Sequence, residues 1–171
     1  YLVICEETRE AALIDASGNY EKTTKILKEN NAKLKYILHT HGHFDHIQGD
    51  WDLQKNFDVK TLIHKGDETL AKSLKQQLNM FGMKTSESPK IDGFLEDNQI
   101  VEVGNLKLKV IHTPGHTPGG VCFLVDKNLF CGDTLFQDNV GRTDFPGGSY
   151  ETLGNSIKNK LYTLDEDITV Y

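Results

Sequence analysis

Four side chains able to bind a metal ion stand within six residues of this sequence: His41, His43, Asp45 and His46. Neutral imidazole and carboxylate in combination suit zinc, iron or manganese. The spacing makes mechanical sense. In an extended loop His41 and His43, two residues apart, project to the same side. If Asp45 and His46 open a helix, the turn swings them beside that pair, and two neighbouring ions can share one short segment. Gly42, with no Cβ, is expected to relieve crowding between the two imidazoles. The chain has seven histidines and three of them fall here, a concentration that a merely solvated loop does not need.

Two further ligand candidates follow predicted strands. His116 sits in Pro114-Gly-His-Thr-Pro118, where the prolines and glycine fix the loop and leave the ligand little entropy to lose. Asp133 follows Cys131-Gly132, with Gly132 expected to allow a close approach of backbone to metal. By itself Asp133 also reads as a turn or helix-capping residue. His39, His64 and His112 lie at or near strand ends outside the run and are expected to be structural or to support the ligands.

The elements that must position these residues are legible as periodicities. Residues 1–5 and 11–15 read as strands around a polar turn. Asn19 is placed to cap a helix over 21–30. A strand over 34–38 runs straight into the histidine loop, followed by a helix over 45–56, a strand over 61–64 and a helix over 66–80. Residues 84–93 read as a loop dividing the chain in two. The second half opens with strands over 99–103 and 106–111 joined by the turn Gly104-Asn105. After the loop at 113–120 come strands over 121–125 and 128–131, a helix over 150–161, and the start of a strand at 168–171. Strands followed by helix in each half suggest two packed sheets with helices outside.

Composition removes some classes. There are 171 residues, 26% charged and 37% apolar, with a net charge of −6 from 19 basic and 25 acidic residues. That suits one domain over 1–171 with a sizeable core. An acidic balance without a basic stretch argues against a nucleic-acid partner, and no apolar run approaches the ~18 residues of a membrane helix. The three cysteines, Cys5, Cys122 and Cys131, match neither a disulfide framework nor a zinc knuckle. A reducing, cytoplasmic setting fits them best.

The segment Thr40-His-Gly-His-Phe-Asp-His-Ile-Gln-Gly49 resembles the THxHxDHxxG signature of the metallo-β-lactamase superfamily. Thr113-Pro-Gly-His-Thr-Pro-Gly119 and Gly132-Asp-Thr-Leu-Phe136 resemble its next two motifs. Gly141-Arg-Thr-Asp-Phe-Pro-Gly-Gly148 resembles the glyoxalase II-like branch, in its short form without an appended helical domain. The resemblance implies an αββα sandwich, two mixed β-sheets flanked by helices with the metals at one edge. It implies two divalent ions, zinc first, with iron or manganese as alternatives. One would be held by His41, His43 and His116, the other by Asp45 and His46, with Asp133 bridging. It also implies one more histidine after a strand such as 168–171 and a further strand before Tyr1, so the sequence is expected to be truncated at both ends and the second metal site incomplete.

On this reading a water shared by two ions loses a proton near neutral pH. The hydroxide, oriented by the catalytic candidate Asp45, attacks the carbonyl of a small-molecule hydroxyacyl thioester such as a lactoyl-thiol. A thiol leaving group, with a pKa near ~8.5, needs little protonation. Arg142 is the candidate for binding the substrate's anionic carrier; a structural ion pair with Asp144 is the alternative. Two other functions remain open at the level of sequence. One is an iron-dependent persulfide dioxygenase of the same fold, its iron on His41, His116 and Asp133. The other is a metal-binding fragment without catalysis.

Overall fold

The computed structural model describes residues 1–84 and 87–171. Its first sheet has the order β1 (Leu2–Ile4), β2 (Glu10–Ile14), β3 (Lys33–Leu38), β4 (Lys60–His64) and β5 (Gly93–Leu95). β1 runs antiparallel to β2, and β2 through β5 are parallel. The second sheet contains β6 (Ile100–Val103), β7 (Leu106–His112), β8 (Val121–Val125) and β9 (Asn128–Phe130), all antiparallel, with β12 (Thr169–Val170) parallel to β9 at its edge. β10 (Leu135–Phe136) and β11 (Asn139–Val140) form a separate small hairpin.

Side-chain alternation explains the layering. Ala12 and Ile14 of β2 and Leu38 of β3 face inward and meet Leu108, Val110, Val121 and Phe123 of the second sheet. The opposite faces are covered by helices. Ala11, Leu13 and Ile37 pack with Leu27 of α1 (Tyr20–Glu29) and Leu53 of α3 (Asp50–Asn56). Ile111, Cys122 and Leu129 pack with Leu153 of α6 (Tyr150–Ser156). The molecule is therefore two mixed sheets face to face with helices on both outer faces, as the sequence implied. A bulge sharpens the pattern: Ala11 pairs with Leu34 and Ala12 with Tyr36, so Lys35 is the extra residue. It lets Leu34 and Ile37, three positions apart, join one outer cluster.

The differences from expectation lie in the helices. The helix expected over 45–56 is α2 (Phe44–Ile47) and α3, separated because the Gly49 N–H donates to Ala16 O (2.8 Å) rather than continuing the ladder. The one expected over 66–80 is a 3₁₀ turn at Lys65–Asp67, then α4 (Glu68–Lys72) and α5 (Leu74–Met80). Ser73 separates these two, its hydroxyl donating to Leu70 O at 2.7 Å. The last helix widens after Ser156 into a π turn over Ile157–Leu161. Of the loop expected over 84–93, Thr85 and Ser86 lie outside the described residues, and Gly93 already belongs to β5. Among the described residues no helix is long and apolar enough to cross a membrane.

Candidate metal centre

The parallel strands β2 and β3 end side by side, which sets the chemistry at one sheet edge. Asp15 follows β2, and His39 to His43 follow β3. His43 occupies the N-cap position of α2, so Asp45 and His46 ride its single turn. The β7–β8 loop supplies His116, and Asp133 comes just after β9.

These residues converge. His116 Nε2 lies 3.0 Å from His43 Nδ1 and 3.3 Å from His41 Nε2. His46 Nε2 lies 3.4 Å from Asp133 Oδ1, and His116 Nε2 lies 3.6 Å from Asp133 Oδ2. Two groups result, His41–His43–His116 and His41–His46–Asp133, each with ligand atoms within 4.8 Å of one another. Asp45 stands beside the second group, with Oδ2 3.8 Å from His46 Nε2 and its side chain 55% exposed. His41 reaches both groups, but its Nδ1 faces Thr40 Oγ1 at 3.1 Å, so it offers one lone pair and serves one group at a time.

The donor set fits metal ions. His116 Nδ1 lies 2.7 Å from the carbonyl oxygen of Arg142. A carbonyl only accepts, so Nδ1 carries the proton and Nε2 presents a bare lone pair. Several imidazole nitrogens aimed at that one lone pair cannot all be satisfied by hydrogen bonds among themselves; a cation between them satisfies them together. His46 Nδ1 likewise donates to Asp15 Oδ2 at 2.8 Å, which orients the ring and makes Nε2 more basic.

Electrostatics divide the histidines. Burial, with the neighbouring His46, holds His41 well below its ordinary range. Burial and His116 lower His43 to about 4. For His46 burial works against the charged form, but Asp133 and Asp15 outweigh it and raise the ring to about 10. The consequence for the metal-free protein follows from linkage. As pH rises from about 6.5 toward about 10, folded His46 loses a proton that the unfolded chain has already lost, so stability falls. As pH drops from about 6.5 toward about 4, the unfolded chain takes up protons that buried His41 and His43 refuse, so stability falls again. Urea midpoints of the chelated protein should therefore peak near neutrality. Zinc should flatten the alkaline side, because a ligated His46 is already deprotonated. A monotonic rise across that range would contradict this electrostatic picture.

A family model described as "Metallo-beta-lactamase superfamily" matches residues 1–171. The chain belongs to the metallo-β-lactamase superfamily. The hydroxyacylglutathione hydrolase GloC of Haemophilus influenzae is 38% identical over 177 aligned residues, covering 98% of this chain and 81% of that protein. The crystal structure of BLEG-1 B3 metallo-beta-lactamase superposes with a TM-score of 0.89 at 31% identity, covering 99% of this chain and 82% of that one. TTHA1623 in a di-iron-bound form gives 0.88 at 29% identity, covering 99% and 84%.

Several residues that build this metallo-β-lactamase site were not singled out in the sequence. Asp15 accepts from Thr40 N (2.8 Å), Thr40 Oγ1 (2.7 Å) and His46; burial works against its charge, but the neighbouring His39 and His46 hold its carboxyl far below the ordinary range. Asp67, fully buried, accepts from Gly42 N (2.9 Å), Thr117 Oγ1 (2.7 Å) and Gly119 N (2.7 Å). It ties the His41–His43 loop to the His116 loop. Of the histidines that the sequence set apart from the ligand run, His39 is fully buried and meets Asp50 at 2.7 Å, and His64 stacks on His112 with ring centres 4.0 Å apart, outside both candidate ligand groups.

Two expectations about glycine need correcting. Space beside Gly42 is occupied by the segment around α4, since a Cβ there would sit 3.1 Å from Asp67 O and Ala71 N; the imidazoles are not what crowds it. Gly132, at φ +48°, would drive a Cβ to 2.3 Å from Thr40 Oγ1, so the close approach is to Thr40, not to a metal. Arg142 gives Nε and Nη2 to the two carboxylate oxygens of Asp144, each at 2.7 Å. Its backbone carbonyl meets His116 Nδ1, and the residue lines a groove beside the candidate ligands.

Proposed function

We propose that this chain is a hydrolase using two divalent metal ions, zinc first, to cleave thioesters, with the hydroxyacyl thioesters in the name of its Haemophilus relative as the starting class. The observation that carries this is the adjacency of the two ligand groups at Asp133 and His116, on the floor of a groove of about 410 Å³. His41, His43 and His116 would hold one ion, and His46, Asp133 and the adjacent Asp45 the other. When bound, the ions supply Lewis acidity and bring the pKa of water to about 7.

The chain's own residues do the rest. Asp45, half-exposed beside His46, orients the attacking water and accepts its proton. The water oxygen bonds to the carbonyl carbon, the C–S bond breaks, and the thiolate leaves with the electron pair. Among the described residues lining the groove there is neither lysine nor tyrosine to protonate an amine. A thiolate leaves without an acid, whereas an amide nitrogen would need the proton returned from Asp45, so a thioester is the less demanding substrate.

The test is thiol release from S-lactoyl thioesters by protein with its metal content quantified. Turnover that a chelator removes and zinc restores is expected. One iron per chain with oxygen consumption on a persulfide, and no thiol release, would replace this reading with the dioxygenase.

A further inference from the structure

Two cavities border the ligands. The larger, about 850 Å³, meets only Asp45, His46 and Asp133 among the candidate ligands. The groove of about 410 Å³ meets His43 and His116 of one group and Asp133 of the other. A carbonyl attacked between two ions must reach both groups, so the scissile bond belongs in the groove.

Much of the groove's wall is apolar, with Ser73, Gln76 and Gln77 as its uncharged polar members. On one side Phe44 and Phe81 lie with ring centres 4.9 Å apart, flanked by Leu70 and Met80; Phe145 and Pro146 line it as well. Met80 is 83% and Phe81 56% exposed, large apolar surface left in water next to the candidate ligands. The polar group of Gln77 in this wall is already engaged: it accepts from Phe44 N and donates to Gly42 O and Leu70 O.

The groove's charge is as telling. Among its described lining residues Arg142 is the one guanidinium or ammonium. Asp144 takes its Nε–Nη2 edge with both carboxylate oxygens, and the guanidinium lies 3.9 Å above the Phe145 ring. A bidentate carboxylate partner and an aromatic face use the geometry a substrate carboxylate would need. The acidic side chains in the lining, Asp45 and Asp133, are candidate metal ligands, and the ions they would hold neutralise them.

We propose that the groove selects thioesters with an apolar acyl chain on an uncharged thiol, and discriminates against carboxylate-bearing thiol carriers of the glutathione kind, because Phe44, Leu70, Met80 and Phe81 offer an apolar track while Asp144 holds the lone guanidinium of the lining. This rests on the hydrolase reading above.

Binding and turnover separate the two claims. Calorimetry on the purified protein would compare non-hydrolysable S-alkyl thioethers of N-acetylcysteamine with the same alkyl groups on glutathione. Affinity should rise roughly fourfold per added methylene from ethyl to hexyl, in line with ~0.8 kcal/mol per buried CH₂, and the neutral carrier should bind more tightly, by about tenfold for ~1.4 kcal/mol of difference. Phe81→Ser should flatten the dependence on chain length, and Asp144→Asn, by releasing Arg142, should narrow the gap between carriers. Equal or tighter binding of S-hexylglutathione, or an unchanged slope in Phe81→Ser, overturns the proposal. If the binding order holds but no acyl thioester is turned over by zinc-loaded protein, the hydrolase reading falls and the groove's selectivity stands.

Discussion

His116→Ala is expected to remove activity almost completely, lowering kcat/KM by about 10³-fold or more, which corresponds to ~4 kcal/mol of barrier. Its Nε2 is within 3.0 Å of His43, 3.3 Å of His41 and 3.6 Å of Asp133, so its loss unsettles both proposed sites together. The side chain is buried and the loop carrying it is pinned at several points, which leaves no neighbouring group free to substitute. Metal content per chain should fall with activity, while the melting temperature of chelated protein changes far less. The control is His112→Ala. His112 is stacked on His64 and hydrogen-bonds Pro118 O at 3.1 Å, outside both ligand groups, and its loss should leave metal content intact. Full metal occupancy in His116→Ala would remove the assignment of that ligand.

The second large effect concerns stability. Asp67→Ala should destabilise the fold by about 3–5 kcal/mol, because three buried donors lose their acceptor at once and each costs ~1–3 kcal/mol when left unpaired. For a chain of this size that corresponds to a fall of roughly 10 °C in Tm. The same three donors belong to the loops bearing His41, His43 and His116, so zinc affinity should drop about 10–100-fold, as for other groups that orient ligands. Asp67→Asn, which keeps the volume but points an amide N–H₂ at donors, should fall between the two. Thermal melts in chelator and zinc competition titrations measure these independently. An Asp67→Ala protein that melts within a degree or two of the parent would show that the tie is idle.

What could be read from the sequence and what could not divides along a physical line. The candidate ligand run was legible because its members are neighbours in the chain, and the strands were legible because a half-buried sheet imposes a period of two on residues such as Leu106, Leu108 and Val110. Asp67 was illegible. Its position just before α4 reads as a helix cap, yet its side chain makes no capping bond and turns instead to loops 25 and 50 residues away. Asp15 hid in the same way, as an ordinary polar residue ending an apolar strand, although its φ of 58° shows how firmly it is held. The β10–β11 hairpin, two residues on each side, is too short to carry a period at all. The breaks in the helices come from tertiary or side-chain competition for backbone groups, at Ala16 O and Ser73 Oγ, which local propensity does not register.

The contact between His116 Nδ1 and the Arg142 carbonyl separates two kinds of constraint on one residue. Main-chain oxygen is common to every amino acid, so the imidazole stays aligned whatever side chain evolution installs at that position. The variable part of Arg142 faces the groove, where it can drift with the molecules a lineage encounters. A scaffold arranged like this can exchange one clientele for another by single steps, leaving the cluster of histidines and carboxylates untouched.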